Sequence, residues 1–540
     1  MSAVSQSGDA HIAGLGGVEG AARVQGEGRN TRGPSAPPLS RQNDSYKPMV
    51  KASRAQRASE GIVVVRSLAT NNARGAKGPC GGHVGNVRTR EGMTGTSGSN
   101  HPAAPPVRDK VRQLQRRLWV AAKRSPDRRV HALMDRIWRA DILHEAWRRV
   151  KKNRGAAGVD AMTLAAVEQY GVERLLDELG AQLRAGTYRP QPVLRRYIPK
   201  ADGRQRPLGI PTVRDRVAQM AATLILEPIF EADFRPSSYG FRRRRSATQA
   251  LETLRQHGAR GGNHVLDADI RDYFGSIDHR QLLTLVARRV SDRRVLKLLR
   301  QWLAAGVMDD GQWTRTMAGT PQGGVISPLL SNIYLHVLDR VWEDRCGHLG
   351  TLVRYADDFV VMCDTQSQVV EARRRVGLVL TRLGLELHPE KTRTVDLSRG
   401  GEGFDFLGCH LRKRMSGPLW ERTRRRVYYL HRWPAQRAMS RMRARVRDLT
   451  PRARCHEDIR GIIADLNPVL RGWGQYFRTG NAAVKFIQMD AFVEERLHAL
   501  LIKRAGSRLR ASRVTVWNRA FFEALGLHRL RGTIQYPGAA

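Results

Sequence analysis

Hydrophobic positions follow a helical spacing over long parts of the chain and a strand-like spacing in a few short runs. From Val107 onward, Val111, Leu114 and Leu118 recur every three or four residues among arginines and lysines, which predicts a basic amphipathic helix. Further helices are predicted around residues 175–183, 214–230 and 280–305. The pattern therefore predicts a chain of mixed α and β structure.

Two acidic stretches interrupt the strand-like runs. Asp357 and Asp358 stand between two groups of β-forming residues, where a tight hairpin would turn, and Asp269 follows another apolar run. Adjacent carboxylates repel each other unless a cation lies between them, and Mg²⁺ suits carboxylates combined with substrate phosphates. The pair is consistent with a two-Mg²⁺ site for phosphoryl transfer. Taken alone, it also fits a solvated turn between surface strands.

Two other segments carry candidate ligand-binding side chains. Lys200 and Arg206 fall on the two strands of a hairpin predicted over residues 195–211, with Asp202-Gly203 as its turn dipeptide. Two cations on a hairpin suit the grip of a triphosphate, while solvated surface charges are the simpler interpretation of the hairpin alone. Gln322, in the small-residue loop before an apolar helix, fits either a contact to a base or sugar or a packing loop.

The net charge of the chain indicates which class of molecule it binds. Lys and Arg together number 93 against 50 Asp and Glu, a formal net charge of +43. A polyanion is the simplest partner for such a chain. We find no apolar run of about 18 residues and no N-terminal signal sequence, so we expect nucleic acid, no membrane, and a cytoplasmic location. The five cysteines are scattered without a Cys-x-x-Cys pair, which is typical of reduced structural thiols.

Residues 1–106 differ in composition from the rest of the chain. They are rich in glycine and contain a single aromatic residue, Tyr46. Such a segment buries too little apolar surface to offset the entropy of ordering. We expect residues 1–106 to be a disordered or low-order extension that is dispensable for activity.

The order of these motifs resembles the reverse transcriptase and maturase proteins encoded by bacterial group II introns, from Val107 to the C-terminus. The resemblance implies an α+β fold of the right-hand polymerase type. Residues 107–414 would form fingers and a palm with an antiparallel sheet, and residues 415–540 an all-helical thumb and maturase domain. Tyr355-Ala356-Asp357-Asp358 matches the catalytic hairpin of such palms, and the Phe-x-Phe-Leu-Gly run within residues 404–409 resembles their primer-grip hairpin.

The resemblance also assigns roles to single residues. Asp269, Asp357 and Asp358 would hold two Mg²⁺ ions, with Asp357 and Asp269 bridging them and Asp358 in a supporting share. The remaining nucleotide and template contacts would come from Lys200, Arg206, Phe274, Gln322 and Lys391. Phe274 would pack under the sugar and exclude a 2′-hydroxyl. Lys391 would approach the triphosphate as general acid or charge stabiliser, and a surface lysine is the open alternative.

The C-terminal part supplies a second set of expectations. Residues 466–481 resemble the maturase signature, with Trp473 and Phe477 expected in the core and Arg471 and Arg478 expected to contact RNA. Many arginines after Met415 suit a thumb along a nucleic-acid backbone. They are Arg422, Arg424, Arg425, Arg426, Arg432, Arg437, Arg441, Arg443, Arg445 and Arg447.

The implied function is an RNA-directed DNA polymerase that copies intron RNA during retrohoming and a maturase that assists splicing. Its partners would be group II intron RNA, a DNA primer or target and dNTPs, with a homodimer left open. It would work in the bacterial cytoplasm, associated with the nucleoid when it acts on DNA. Two alternatives stay open: a splicing-only RNA-binding maturase, and a reverse transcriptase of the retron or defence type.

Two departures from the family pattern matter. Arg243 and Arg244 stand where the family has Pro and Gly, which predicts a looser and more basic turn. No His-Asn-His nuclease motif follows the maturase-like segment. The chain therefore resembles members without the endonuclease domain.

Overall fold

The computed structural model describes residues 107–199, 203, 205–320, 323–506 and 515–536. The predictions for residues 1–106 and for the side chains of Lys200 and Gln322 lie outside the described residues.

Five helices precede the first sheet, and a sixth, which follows the first two strands of that sheet, is apolar on nearly every side. This central helix, α6, is buried through Val217, Ala221 and Ile225, and α1 and α3 pack against it because their own apolar stripes need a partner. The six helices are α1 Val107–Arg124, α2 Met134–Ile137, α3 Ala140–Asn153, α4 Leu164–Tyr170, α5 Val172–Ala185 and α6 Val213–Glu231.

The predicted basic hairpin is present. Strands β1 (Val193–Pro199) and β2 (Gln205–Ile210) pair antiparallel, with Pro199 opposite Gln205. Strands β4 (Val307–Asp309) and β5 (Gln312–Thr314) extend this sheet in the order β2-β1-β4-β5.

A second sheet carries the acidic strand ends. Its order is β6-β7-β3-β8 and every pair is antiparallel. The strands are β3 His264–Ala268, β6 Thr351–Tyr355, β7 Asp358–Cys363 and β8 Arg393–Asp396. Alternate residues point to two cores, Leu266 and Phe359 to one and Val265 and Val360 to the other. This sheet is therefore buried on both faces away from its acidic end.

Helices cover both faces of this sheet. Helix α7 (Ala247–Ala259) shares the core of Val265 and Val360, whereas α11 and α12 share the core of Leu266 and Phe359. The other helices of the region are α8 Tyr273–Ser276, α9 His279–Ala287, α10 Arg293–Ala304, α11 Ser327–Val341 and α12 Gln366–Arg382.

A third sheet joins the palm to the helical C-terminal part. Its order is β11-β10-β9, and its strands are β9 Gly403–Phe406, β10 Cys409–Met415 and β11 Tyr428–Pro434. The helices are α13 Gly417–Thr423 between β10 and β11, then α14 Gln436–Leu449, α15 Ile459–Phe477, α16 Ala483–Ala505 and α17 Arg519–Ala524. The α+β prediction is confirmed. Strand β11 lies inside the segment expected to be all-helical from residue 415, so the long C-terminal helices start at Gln436.

Two predictions about environment can be compared with this fold. Cys346, Cys363, Cys409 and Cys455 are unpaired and buried, as expected for structural thiols. Within the described ranges, no helix is both long and apolar enough to cross a bilayer.

Candidate active site

Strand register brings the three predicted carboxylates to one end of the second sheet. Tyr355 pairs with Asp358, which leaves Ala356 and Asp357 as the two-residue turn between β6 and β7. Ala268, the last residue of β3, pairs with Phe359. Asp269 follows Ala268 directly, so it lies beside Asp358 at the end of the neighbouring strand.

The turn is held in a conformation that its own residues do not favour. Ala356 has a φ of +61°, in the left-handed region that an L-residue with a Cβ seldom adopts. Gly240 lies against it so closely that a Cβ there would stand 2.3 Å from the Ala356 nitrogen. Surrounding structure must therefore impose the turn.

A buried arginine beneath the turn supplies that restraint. Arg354 is fully buried, and its Nε and Nη2 donate to the two carboxylate oxygens of Asp339 at 2.7 and 2.5 Å. Its Nη1 donates to the Ala356 carbonyl at 2.8 Å and to Asn332 Oδ1 at 3.1 Å, and its Nη2 also donates to Ser238 Oγ at 2.8 Å. One guanidinium thus joins the turn to helix α11 and to the loop before α7.

Ionisation of the turn carboxyl groups, Asp357 and Asp358, is unfavourable when no cation is bound. Burial raises the pKa of Asp358 to about 8, and the negative charges of Asp267, Asp357 and Asp269 add to the rise. Burial also raises the pKa of Asp357, with a contribution from Asp269, while Arg206 and Arg354 act in the opposite direction. A divalent cation between these groups would relieve both burial and repulsion.

Lys391 lies within this cluster. Its Nζ donates to Asp269 Oδ2 at 2.5 Å, although half of its side chain is exposed. Lys391 is therefore a half-exposed lysine in contact with one of the predicted catalytic carboxylates, and its role stays a prediction. A fourth acid, Asp267, contributes to the raised pKa of Asp358 and accepts from Arg393 Nε at 3.1 Å.

The residues present have the chemistry of a divalent-cation site. Three carboxylates supply hard oxygen donors of the kind that Mg²⁺ takes. In the described part of the chain, however, no set of three or more His, Cys, Asp or Glu side chains is arranged to coordinate an ion. One of the three carboxylates, that of Asp269, is instead paired with the Lys391 ammonium.

The predicted nucleotide contacts are placed in part. Arg206, on β2, is close enough to Asp357 to act on the pKa of that carboxyl. Phe274, in α8, is half-buried, with its ring centroid 5.2 Å from that of Tyr273. The backbone N–H of Thr320 donates to the Phe274 carbonyl at 2.8 Å, so the loop that leads to residue 322 begins beside Phe274.

Local structure shows how Arg243 and Arg244 are accommodated where the family has Pro and Gly. Arg244 has a φ of +59°, the left-handed conformation that glycine adopts without cost. Arg243 forms an ion pair with Glu227 at 2.8 Å and donates to Gln115 at 2.9 Å. The turn is basic as predicted, but Arg243 also binds it to helices α1 and α6.

The expected thumb surface needs one correction. Arg432 is buried at 2% exposure, and its guanidinium contacts the Thr479 carbonyl at 3.1 Å and Glu252 at 3.5 Å. It cannot lie along a nucleic-acid backbone, because it connects β11 to the loop after α15. The other arginines of that set keep solvent contact: Arg422, Arg424, Arg425, Arg426, Arg437, Arg441, Arg443, Arg445 and Arg447.

The aromatic face of α15 packs as expected. Phe477 is buried and Trp473 is half-buried against it, with ring centroids 4.9 Å apart. Tyr476 donates its hydroxyl to the Leu407 carbonyl at 2.8 Å, in the turn between β9 and β10. This helix therefore contacts the segment that resembles a primer grip.

Fold and site together define a right-hand nucleic-acid polymerase, and comparison with known proteins identifies its family. Residues 198–411 match the family model for reverse transcriptase (RNA-dependent DNA polymerase). Residues 439–516 match the model for the group II intron, maturase-specific domain.

Individual relatives agree with these matches. The chain is 36% identical over 345 residues to Protein YkfC of Escherichia coli, which covers 57% of this chain and 89% of that protein. It is 38% identical over 348 residues to Group II intron-encoded protein LtrA of Lactococcus lactis, which covers 52% of this chain and 57% of that protein. A chain of a partial Cas6-RT-Cas1–Cas2 complex matches with a TM-score of 0.30 and 24% identity over 46% of this chain and 42% of its own length, a likeness too low to support an argument.

The chain belongs to the family of reverse transcriptases that carry a group II intron maturase domain. It is an RNA-directed DNA polymerase of a class that uses divalent metal ions and nucleic-acid substrates.

Proposed function

We propose that this chain copies the RNA of a group II intron into DNA during retrohoming and binds the same RNA to assist its splicing. The observation that supports the polymerase role is the convergence of Asp269, Asp357 and Asp358 at one sheet end, with Arg206 nearby. The maturase-domain match in the same chain supports the splicing role.

Asp269, Asp357 and Asp358 would hold two Mg²⁺ ions, which supply a lowered pKa of the primer 3′-hydroxyl and neutralisation of the leaving pyrophosphate. For Asp269 to hold an ion, the Lys391 ammonium would have to leave Oδ2 of that carboxylate. Because burial and the neighbouring negative charges raise the pKa of Asp357 and Asp358, both carboxyl groups would have to lose their protons to hold the ions.

The other side chains would bind and orient the nucleotide. Arg206 and Lys200 grip the triphosphate from the fingers hairpin, while Phe274 packs against the sugar. Gln322 positions base and template. Once displaced from Asp269, Lys391 carries a proton on Nζ beside the phosphates and can donate it to the leaving pyrophosphate.

Replacing Asp357 and Asp358 together by Ala tests this assignment. We expect primer extension on an RNA template to fall by at least about 1,000-fold, since electrostatic stabilisation is the main term in phosphoryl transfer. Intron RNA binding, measured by filter retention, should change by less than about two-fold because that binding rests on phosphate contacts elsewhere.

Asp364→Asn is the matched control, because Asp364 is exposed just beyond the other end of β7. It should extend primers like the wild-type chain. Undiminished extension by the double variant would refute the site assignment.

A splicing-only maturase is the second candidate, and the three carboxylates at one sheet end with Arg206 beside them argue against it. Primer extension by the wild-type chain excludes it. A reverse transcriptase of the retron or defence type would bind another RNA, so sequencing of copurified RNA separates it from an intron protein. The bacterial cytoplasm, association with the nucleoid and a homodimer stay predictions.

A further inference from the structure

A basic groove lies on the outer face of the third sheet. Along β10 and β11 the side chains alternate: Leu411 and Leu430 enter the core, whereas Arg412, Arg414 and His431 point outward. The outward residues pair across the strands, Arg412 with His431 and Arg414 with Tyr429. Arg412, Arg414 and His431 form the floor of the groove together with Trp433, and the groove has a volume of about 670 Å³.

Two segments form the walls of the basic groove. On one side, the Gly400 carbonyl accepts from Arg412 Nε at 2.8 Å, which fixes residues 398–400 beside β10. On the other side, the Asn481 N–H donates to the Arg432 carbonyl at 2.7 Å, which fixes the start of α16 beside β11. Both walls are thus hydrogen-bonded to the floor, and the groove is part of the folded structure.

The charge of the basic groove is one-sided. Arg399, Arg412, Arg414 and Lys485 line it, and none of the described lining residues is acidic. Arg414 and Lys485 form no ion pair with a described carboxylate. The nearby Asp405 is engaged by His410, 2.7 Å from its Nδ1. The positive charges of Arg414 and Lys485 are therefore available to an anion.

Aromatic and imidazole rings accompany these charges. The Arg414 guanidinium lies over Trp433 at 6.0 Å from the ring centroid, and Trp433 and His431 are half-buried in the floor. Duplex backbones present phosphates and sugars to a protein, whereas unpaired strands can also stack their bases on aromatic and guanidinium planes. A recessed Trp433 between cations fits an unpaired strand.

The basic groove is remote from the carboxylates. Residues 398–400 follow β8, whose last residue, Asp396, pairs with His264 at the first residue of β3. Asp269 follows the opposite end of β3. The groove and the turn at Asp357 thus lie at opposite ends of the second sheet, so the template in the polymerase site would leave the groove accessible.

We propose that the basic groove binds an unpaired segment of nucleic acid while primer and template occupy the polymerase site. Phosphates would lie against Arg399, Arg414 and Lys485, and a base would stack on Trp433. RNA and DNA share this chemistry, so the experiment below has an arm for each. The proposal goes beyond the proposed function and uses it only in naming intron RNA as the expected source.

The test uses the full chain with its polymerase site blocked by a dideoxy-terminated primer on an RNA template, with Mg²⁺ and the next dNTP. A fluorescent unpaired RNA of 12 nucleotides is then titrated, with DNA of the same sequence in parallel. We expect binding, and a loss of at least about ten-fold in affinity for the variant Arg414→Glu with Lys485→Glu. Trp433→Ala should weaken binding, and Trp433→Phe should restore it.

Arg373→Glu with Arg382→Glu is the charge-matched control, because both arginines are exposed on α12, which packs on the other core. It should bind within about two-fold of wild type, apart from the general charge effect that it shares. Single-nucleotide addition from an unblocked primer should be unchanged in the Arg414 and Lys485 variant. A blocked wild-type complex that binds neither strand, or equal losses in the variant and the control, would overturn the proposal.

A second readout does not depend on polymerase activity. An RNA of the same sequence with 4-thiouridine is photo-crosslinked to the chain, and the crosslinked peptides are mapped. We expect crosslinks within residues 398–433 and 481–485 of wild type, and their loss in the Arg414 and Lys485 variant. Crosslinks confined to other segments contradict the groove. Failure of primer extension with crosslinks retained would count against the proposed function alone.

Discussion

The acidic end of the second sheet and the outer face of the third sheet differ in the charge that has no ion-pair partner. Carboxylates lack a partner at the end of the second sheet, and cations lack one on the face of the third. At the palm end, Arg354 is buried and engaged by Asp339, while Asp357 and Asp358 form no ion pair with any described residue. On the outer face, Arg414 is exposed without a carboxylate, while Arg432 beneath it is buried and engaged. In both regions the buried arginine thus has its partners within the protein.

The contrast shows what each region can bind. Uncompensated, half-buried carboxylates suit a divalent cation, because a cation lowers the cost of holding them together. Uncompensated arginines at the surface suit phosphates. The total charge of +43 hides this separation, since it states the excess of cations and not where the acids are concentrated.

The largest effect on the free energy of unfolding at a fixed pH should come from Arg354, the buried arginine that holds the turn. Arg354→Met leaves Asp339 as a buried charge without its partner, which costs about 3 to 5 kcal/mol in free energy of unfolding. The Ala356 carbonyl also loses its donor, so we expect nucleotide addition to fall at least ten-fold. Urea denaturation and single-turnover addition measure the two effects.

Stability and positioning can be separated with a second change. Arg354→Met combined with Asp339→Leu removes both charges, and we expect most of the stability to return. If Arg354 positions the turn, kcat stays low at saturating dNTP although the protein folds. Full recovery of kcat would show a structural role only.

A buried ion pair outside the acidic end provides the control. Arg289 is 5% exposed and lies 3.0 Å from Asp233. Arg289→Met with Asp233→Leu should alter the free energy of unfolding, and the activity of each folded molecule should stay the same.

The second largest effect is the pH dependence of stability that Asp358 causes. The direction of this pH dependence distinguishes Asp358 from an ordinary surface acid. Its pKa is raised from 3.8 to about 8, so the folded state binds more protons than the unfolded state between these values. Stability without metal should therefore fall as pH rises from about 4 to 8, by at most about 1.4 kcal/mol per pH unit. Asp358→Asn should remove this slope and be more stable than wild type at pH 8.

The measurement is chemical denaturation of the metal-free protein at pH 5 to 8. Added Mg²⁺ should stabilise wild type most at the high end of this range, because binding competes with protons there. The same addition should stabilise Asp358→Asn less. Wild-type stability that is flat between pH 5 and 8 would contradict the burial argument.

The sequence predicted where the carboxylates lie, but it did not predict the buried residues that hold them in place. Adjacent acids between β-forming runs mark a hairpin turn, and strand register then places Asp357 and Asp358 at its tip. Arg354 is part of the same run, yet nothing local signals its burial, because its partner Asp339 lies in a helix and the pair forms only in the folded sheet. Asp267 was missed for a similar reason, since a strand residue facing Asp358 depends on pairing between distant strands.

The C-terminal boundary shows the limit of composition. The segment around Arg424, Arg425 and Arg426 is so basic that a helix along nucleic acid was expected there, but β11 follows directly at Tyr428. Strands with one exposed face accept cations on that face, and Arg432 on the other face contacts Thr479 and Glu252 through Nη2. Basic composition thus indicates a nucleic-acid partner without deciding between helix and strand.

The smallest effect should appear where palm and helical part meet. Tyr476→Phe removes the hydroxyl that donates to the Leu407 carbonyl at 2.8 Å, and we expect a loss of about 1 kcal/mol in free energy of unfolding. The turn at Leu407 lies in the segment that resembles a primer grip, so KM for primer and template should rise about two- to five-fold while kcat stays near wild type. Tyr170→Phe is the matched control, because that hydroxyl donates to Glu178 at 2.7 Å on the exposed surface. Equal values of KM in the two variants would mean that the Tyr476 bond joins the two regions without holding the primer end, whereas a rise for Tyr476→Phe alone would connect the maturase helix to the polymerase site.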